Sequence, residues 1–363
     1  MIYLDNNATT RVTDEVLAAM EPYYRELYGN AHAAHSLGRR SHEAVEEARS
    51  SVAHLLDCSD GEVIFTSCGT EGNALVIRGL IDAKPSRRRI VTTAVEHPSV
   101  MLLLRALEQR GDIELAIVNV DRDGALDMDQ FRALVDDHTL LISVMLAQNE
   151  TGVIHPIAEI CELAHAHGAL LHVDAVQAAG KIAISHDGID FMTISGHKLH
   201  APKGIGALSI HRGRKLAPLW YGGGQELGLR SGTEAVPSIV GFGVAARMAL
   251  EAVPAFECVR ELRDRFESEL RAKFSVQIAG SAQPRLPNTS SVIFRDHAAE
   301  VVAALDAHGV CVSAGAACNT GLEPSATMKA MGLPAAVRFS LSRFTTANEL
   351  DEALAIIQSA VTK

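Results

Sequence analysis

The chain has 363 residues, 47% hydrophobic and 21% charged, and no low-complexity tract, which excludes a disordered or fibrous protein and leaves room for two cores. Acidic residues outnumber basic ones, 44 to 33, for a net charge of −11, which argues against a broad nucleic-acid footprint; the Arg87-Arg88-Arg89 run reads as a solvated loop. The N-terminus has neither a basic segment nor an apolar core, and the longest apolar run, near Leu140 to Ala147, is too short to span a bilayer, so a cytosolic protein is expected.

Thr13-Asp14-Glu15 followed by Val16, Leu17 and Met20 is a helix start with an acidic first turn. Residues 28–40 read as a Gly- and His-rich loop leading into a charged helix from about Ser41 to Leu56; His32 and His35 have no third ligand nearby, so no metal site is expected. From Glu62 to Asn73 the pattern is strand, small-residue turn, helix. That arrangement turns the positive end of a helix toward an anion, with Gly69 and Thr70 in the turn. Arg89–Thr93 is a strand ending at Val95-Glu96-His97-Pro98, where the proline suits a helix start. Residues 121–127 lack the spacing of a calcium loop and read as a turn.

Leu140 to Leu146 is a buried strand delivering Asn149 to its end, and the helix from Glu159 to His167 stops at Gly168. The next strand, from Ala169, ends in a carboxylate, Asp174. Gly180-Lys181 lacks the flanking residues of a nucleotide-binding loop, which excludes that reading. In the stretch 193–206 a polar cluster closes on Lys198 and a Gly-rich turn follows. A pocketed lysine amine can link covalently to an aldehyde, the way pyridoxal phosphate is attached to its enzymes, and Asp174 is placed to partner the pyridine nitrogen. Ligands of parallel sheets collect at carboxyl ends of strands, where Asn149, Asp174 and Lys198 all fall.

Residues 221–234 are too glycine-rich for a core element and too compact for a linker. A helix follows from near Pro237, and a charged one runs from Glu257 to Phe274. The six cysteines, Cys58, Cys68, Cys161, Cys258, Cys311 and Cys318, show no metal-binding spacing and are expected to be thiols. Small residues surround Cys318, which suits an accessible loop nucleophile, whereas Cys311 sits among β-branched neighbours and reads as strand. Arg338 lies on a strand, where its guanidinium fork suits a carboxylate.

Asp174, Gln177, the Ser195-Gly196-His197-Lys198 block, the Asn149-Glu150-Thr151-Gly152 turn and the Ser313-to-Cys318 segment together resemble, in order and spacing, the cysteine desulfurases of the class V aminotransferase superfamily. The resemblance runs from Tyr3-Leu4-Asp5-Asn6-Asn7 almost to the C-terminus. It implies an α/β fold type I pyridoxal phosphate enzyme with a mainly parallel seven-stranded sheet. The expected large domain spans 15–244, and a small α+β domain comprises 1–14 and 245–363. Further implications are a phosphate cup including Gly69 and Thr70, cofactor contacts from Ser195 and His197, a ring contact from His97, and a bond from Gln177 to the ring oxygen. Asn149 and Arg338 would hold the substrate, L-cysteine, and Cys318 would take its sulfur for delivery to a sulfur-acceptor protein in iron–sulfur assembly, thiolation or related pathways. Thr233 would reach the phosphate of the neighbouring site in a homodimer. Cys68 and Leu227 depart from the usual family residues. Rival readings are an aminotransferase or selenocysteine lyase-like enzyme, separable by a product assay for alanine and sulfide, and a non-catalytic scaffold, which would stay colourless.

Overall fold

The computed structural model describes residues 1–83, 86–294, 297–314, 317–318 and 321–361, without the side chains of 317–318, 321–322 and 361. In chain order the strands are β1 (Ile2–Tyr3), β2 (Val63–Thr66), β3 (Arg89–Thr93), β4 (Glu114–Val118), β5 (Thr139–Met145), β6 (Leu170–Asp174), β7 (Phe191–Ser195), β8 (Gly206–Ile210), β9 (Gln277–Ile278), β10 (Thr289–Ile293), β11 (Val310–Cys311), β12 (Ser313–Ala314), β13 (Ala317–Cys318), β14 (Gly321–Leu322) and β15 (Val337–Ser340). The α-helices are α1 (Asp14–Met20), α2 (Pro22–Arg25), α3 (Ser36–Leu56), α4 (Gly69–Asp82), α5 (Pro98–Gln109), α6 (Met128–Leu134), α7 (Ile157–Ala166), α8 (Val236–Ala252), α9 (Phe256–Lys273), α10 (Ala298–Ala307), α11 (Ala326–Ala330) and α12 (Ala347–Val361).

Seven strands form one sheet in the order β2-β8-β7-β6-β5-β3-β4, parallel except that β8 runs against both its neighbours. Strands β5 and β7 are buried along their whole length, as expected of strands covered by helices on both faces. This is the mainly parallel seven-stranded sheet expected of a fold type I enzyme. A second sheet, β12-β15-β10-β9, is antiparallel and packs with α9, α10 and α12 around Phe266, Phe339 and Leu350. The N-terminus belongs to this second core through β1, which pairs with β11, and then crosses to the large sheet.

Two expectations need correction. The helix predicted from about Ser41 begins at Ser36, because His35 Nδ1 accepts the Gly38 N–H at 3.1 Å and so caps it five residues early. The boundary drawn between 244 and 245 cuts through α8; Phe242, Ala245 and Ala249 all lie in the core shared with α3, so the helix stays with the large sheet to its end. One window within Val236–Lys273 is long and apolar enough to cross a bilayer by length and composition. Its apolarity serves packing, with Ile239, Phe242 and Ala246 buried against Val45, Ala48 and Val52 of α3.

On β8, between β2 and β7, Gly206 stands opposite both Thr66 and Ser195, at the end of the sheet where β2 turns into α4. A β-carbon there would lie 2.8 Å from the Ile194 carbonyl oxygen and 2.9 Å from the Cys68 carbonyl carbon, both backbone atoms that cannot swing aside. Gly206→Ala should therefore lower the free energy of unfolding by about 1–3 kcal/mol, the usual effect of overpacking. Urea titration of parent and variant checks this, and a change below about 0.5 kcal/mol would show that the turn has room to relax.

Candidate active site

Strands β5, β6 and β7 run in parallel register, with Met145 opposite Asp174 and Asp174 opposite Thr193, so the loops that follow them open on one edge of the sheet. There a cavity of about 260 Å³ is lined by Gly69, Thr70, His97, Asn149, Asp174, Gln177, Ser195, His197 and Lys198, together with Ala8, Cys68, Asn73 and Ser99. Nine predicted site residues are thus gathered in one space, although they are spread across about a third of the chain.

Asp174 forms one wall. Its Oδ2 accepts from Asn73 Nδ2 at 2.8 Å, and its Oδ1 from the Val176 N–H at 3.0 Å. Burial pushes its carboxyl pKa up, while the bonds from Asn73 and Val176 and the nearby His97 and Lys198 pull the other way. The two neutral donors do not balance a buried negative charge, so the carboxylate suits a cationic partner placed in the cavity. Asn73 also donates to Ser99 Oγ at 3.0 Å, and Ser99 Oγ lies 2.8 Å from His97 Nδ1. That same nitrogen accepts the Ser99 backbone N–H at 3.1 Å, which leaves the proton of a neutral His97 on Nε2. Burial favours this neutral form by lowering the His97 pKa.

The opposite wall carries Lys198, in the short turn after β7. Its Nζ donates to the carbonyl oxygens of Asn7 and Ala8, the latter at 2.8 Å. Burial, followed by the charge of Arg338, pushes this amine down to about 8, against support from Asp5 and Asp174. His197 is likewise held neutral, pushed down to about 4 by burial and then by Lys198, with Nδ1 3.1 Å from Thr9 Oγ1.

The third wall is the start of α4, whose first-turn N–H groups have no partner within the helix. A β-carbon on Gly69 would lie 2.8 Å from Val176 Cγ2, so glycine lets the helix end approach the sheet closely. Ser195 Oγ is buried beside it with no hydrogen-bond partner among the described residues. An unsatisfied buried hydroxyl at a helix N-terminus fits an anionic group such as a phosphate. An anion-binding end, a reactive amine and a carboxylate seeking a cation are the features that pyridoxal phosphate requires.

The remaining predicted residues stand apart. Arg338 does not line the cavity: Nη1 donates to the Asn149 carbonyl at 3.0 Å and Nη2 to Asp5 Oδ1 at 2.8 Å, while its Nε is buried without a partner. Thr233 is exposed on the loop after η-turn residues 226–228 and does not line the cavity of its own chain. The backbone of Cys318 pairs with Gly321 in a short hairpin, and its side chain lies outside the described residues. Sequence reasoning gave no role to Asn73, Ser99 or the Asn7-Ala8 carbonyls. A buried asparagine on a helix flanked by Leu75 and Val76 was the available signal for Asn73, since such a group must find partners.

Lowering of the Lys198 amine has a direct consequence for its reactivity, because only the neutral amine attacks an aldehyde. Reductive methylation with formaldehyde, mapped by peptide mass, should modify Lys198 of the cofactor-free protein with a midpoint near pH 8. Ordinary lysines titrate near 10.4. Asp5→Asn removes a group that raises the Lys198 value and should move its midpoint lower. A Lys198 midpoint above about pH 10 would contradict the burial argument.

Comparison with known proteins agrees with this geometry. The chain matches the family described as aminotransferase class-V over residues 2–353. It is 44% identical to the cysteine desulfurase of Trichormus azollae, across 99% of this chain and 93% of that one. Identity to the cysteine desulfurase NifS of Azotobacter vinelandii is 42%, across 97% and 90% respectively. A solved structure of a NifS-like protein superposes with a TM-score of 0.93 at 36% identity, covering 99% of both chains. On the strength of matches that run nearly end to end, this chain belongs to the cysteine desulfurase family of class V aminotransferases.

Proposed function

We propose that the chain converts L-cysteine to L-alanine with pyridoxal phosphate, moving the substrate sulfur onto Cys318 and then to an acceptor protein. The observation that carries this reading is the single cavity holding an amine lowered to about 8, a buried carboxylate and the N-terminal end of α4. When bound, the cofactor supplies an aldehyde that links to amines and a ring that withdraws electrons from the substrate α-carbon. Gly69, Thr70, Ser195 and His197 would hold its phosphate. Asp174 would hold the protonated ring nitrogen, Gln177 the ring oxygen, and His97 would contact the ring.

Lys198 has two tasks. It would hold the cofactor at rest, and its neutral Nζ would take the α-proton of the bound substrate. The carbonyls of Asn7 and Ala8 orient that amine through hydrogen bonds that an uncharged amine can still donate. Asn149 and Arg338 recognise the substrate carboxylate, Arg338 through a guanidinium that Asp5 and the Asn149 carbonyl already orient. The Cys318 thiolate then attacks the substrate sulfur, so a sulfur–sulfur bond forms as the carbon–sulfur bond breaks. The β-carbon keeps that electron pair and gains a proton, the α-carbon regains the proton that Lys198 took, and the products are alanine and a persulfide on Cys318.

The same reading makes the active unit a homodimer, because Thr233 does not line its own chain's cavity and lies on an exposed loop that would reach a second one. That loop is anchored at two points. Glu226 takes a two-point ion pair from Arg49, with contacts of 2.8 and 2.9 Å, and Arg230 Nε donates to Glu71 Oε1 at 3.1 Å on the first turn of α4.

Cys318→Ser separates the two halves of this mechanism. The variant should bind pyridoxal phosphate normally and still change its absorption spectrum with L-cysteine. It should form no protein persulfide and lose alanine production by about 100-fold or more, since a neutral hydroxyl is a poor nucleophile toward sulfur. Cys311→Ser should keep its activity. Mass spectrometry after brief incubation with cysteine reads both, and a persulfide on Cys311 or undiminished turnover in Cys318→Ser would refute the assignment.

A further inference from the structure

A second lysine lies directly behind the site. Lys181 is 5% exposed and does not line the catalytic cavity. It borders a gap of about 20 Å³ that also touches Lys198, and on its other side a cavity of about 670 Å³ bounded by Arg263 and Pro284. Its Nζ donates to the Gln177 carbonyl at 3.0 Å, to Gln177 Oε1 at 3.0 Å and to Asn7 Oδ1 at 3.4 Å. Three acceptors match the three N–H donors of an ammonium.

The other end of the same amide is also fixed, since Gln177 Nε2 donates to the Asn7 carbonyl at 3.0 Å. Turning the amide over would place its NH₂ against the Lys181 ammonium and its oxygen against the Asn7 carbonyl, so two hydrogen bonds would become two repulsions. One N–H of Nε2 is engaged by Asn7, which leaves its second N–H as a donor on a side chain that lines the cavity. We propose that Lys181 is a positioning residue of the active site, which by donating to Gln177 Oε1 fixes the amide so that its N–H end serves the cavity. The inference rests on the reading of Gln177 as the partner of the cofactor's ring oxygen.

Keeping a lysine here has a cost that packing alone does not explain. Burial first, then the charges of Lys198 and Arg338, push its amine down to about 7. An apolar side chain of similar length would fill the same space without that cost. Removing the Lys181 donor frees the amide to turn, which takes from the ring oxygen a hydrogen bond that favours its charged form.

The test uses the cofactor-loaded protein and reads the pH midpoint of its visible absorbance, together with thermal unfolding, in Lys181→Met, Gln177→Ala and the double variant. Lys181→Met should raise the midpoint by about 0.5–1 pH unit, the effect of one hydrogen bond. Gln177→Ala should raise it comparably, and the double variant should shift clearly less than the sum, because both changes remove one interaction. Lys181→Gln, which restores an uncharged N–H donor, should return the midpoint toward the parent value, and it serves as the test if Lys181→Met does not fold. An unchanged midpoint in folded Lys181→Met, additive shifts, or equal shifts in the Met and Gln variants would overturn the proposal. A parent protein that takes up no pyridoxal phosphate would overturn the reading of the cavity as well, whereas normal loading with no Lys181 effect would overturn this inference alone.

Discussion

Buried charge needs a partner, and the layout of this site follows from how three such charges are served. Lys198 and Lys181 bring two amines beneath one cavity, and Asp174 brings a carboxylate to its wall. The two amines share one strap, the N-terminal segment around Asn7, whose carbonyl receives Lys198 and Gln177 and whose side-chain oxygen receives Lys181 and Asn288. Asn7 is 1% exposed, and its Nδ2 ties the strap to Thr289 Oγ1 of β10 at 2.9 Å. Remove this strap and Lys198 loses both of its carbonyl acceptors, while Lys181 loses one of its three. The chain start, which forms little regular structure of its own, is therefore as much a part of the site as the central strands.

The large sheet contributes direction, and the second sheet contributes closure. Parallel register of β5, β6 and β7 sends Asn149, Asp174 and Lys198 to one edge, as in other open α/β sheets where ligands bind at carboxyl ends of strands. The second sheet supplies Arg338 from β15, which meets the first at the Asn149 carbonyl and at Asp5. Ser340 on the same strand receives the Asn7 N–H on its hydroxyl at 2.9 Å. Arg338 and the cavity-lining groups thus belong to separate cores joined through the strap. Any shift of β15 would be felt by both Arg338 and Asn7.

Much of this was legible in the sequence, for identifiable reasons. An apolar strand ending in a carboxylate pointed to Asp174, a buried strand running toward Asn149 pointed to that residue, and the small-residue turn before α4 pointed to the cavity wall where Gly69 and Thr70 lie. Lys198 stood out only in combination with them. Harder to read were groups that act through the backbone: nothing in the identities of Asn7 and Ala8 says that their carbonyls will meet a lysine nearly 200 residues away. Lys181 was weighed only as part of a nucleotide loop, which Gly180-Lys181 does not fit, and its partners were left unconsidered. The start of α3 was missed because histidine is an uncommon cap, and the extent of α8 because its apolar residues surround the helix instead of forming one stripe. Arg338 was placed correctly on a strand, but its pairing with Asp5 depends on the segment after β1 meeting β15 in space, which no local pattern encodes.

The central claim is that Lys198, lowered by burial and held by the Asn7 and Ala8 carbonyls, is the amine that takes the cofactor. Loading the protein with pyridoxal phosphate, reducing it with borohydride and locating the fixed pyridoxyl group by peptide mass spectrometry tests this most directly. The account predicts one modification per chain, on Lys198. A pyridoxyl group on Lys181 or Lys203, or none at all, would contradict it.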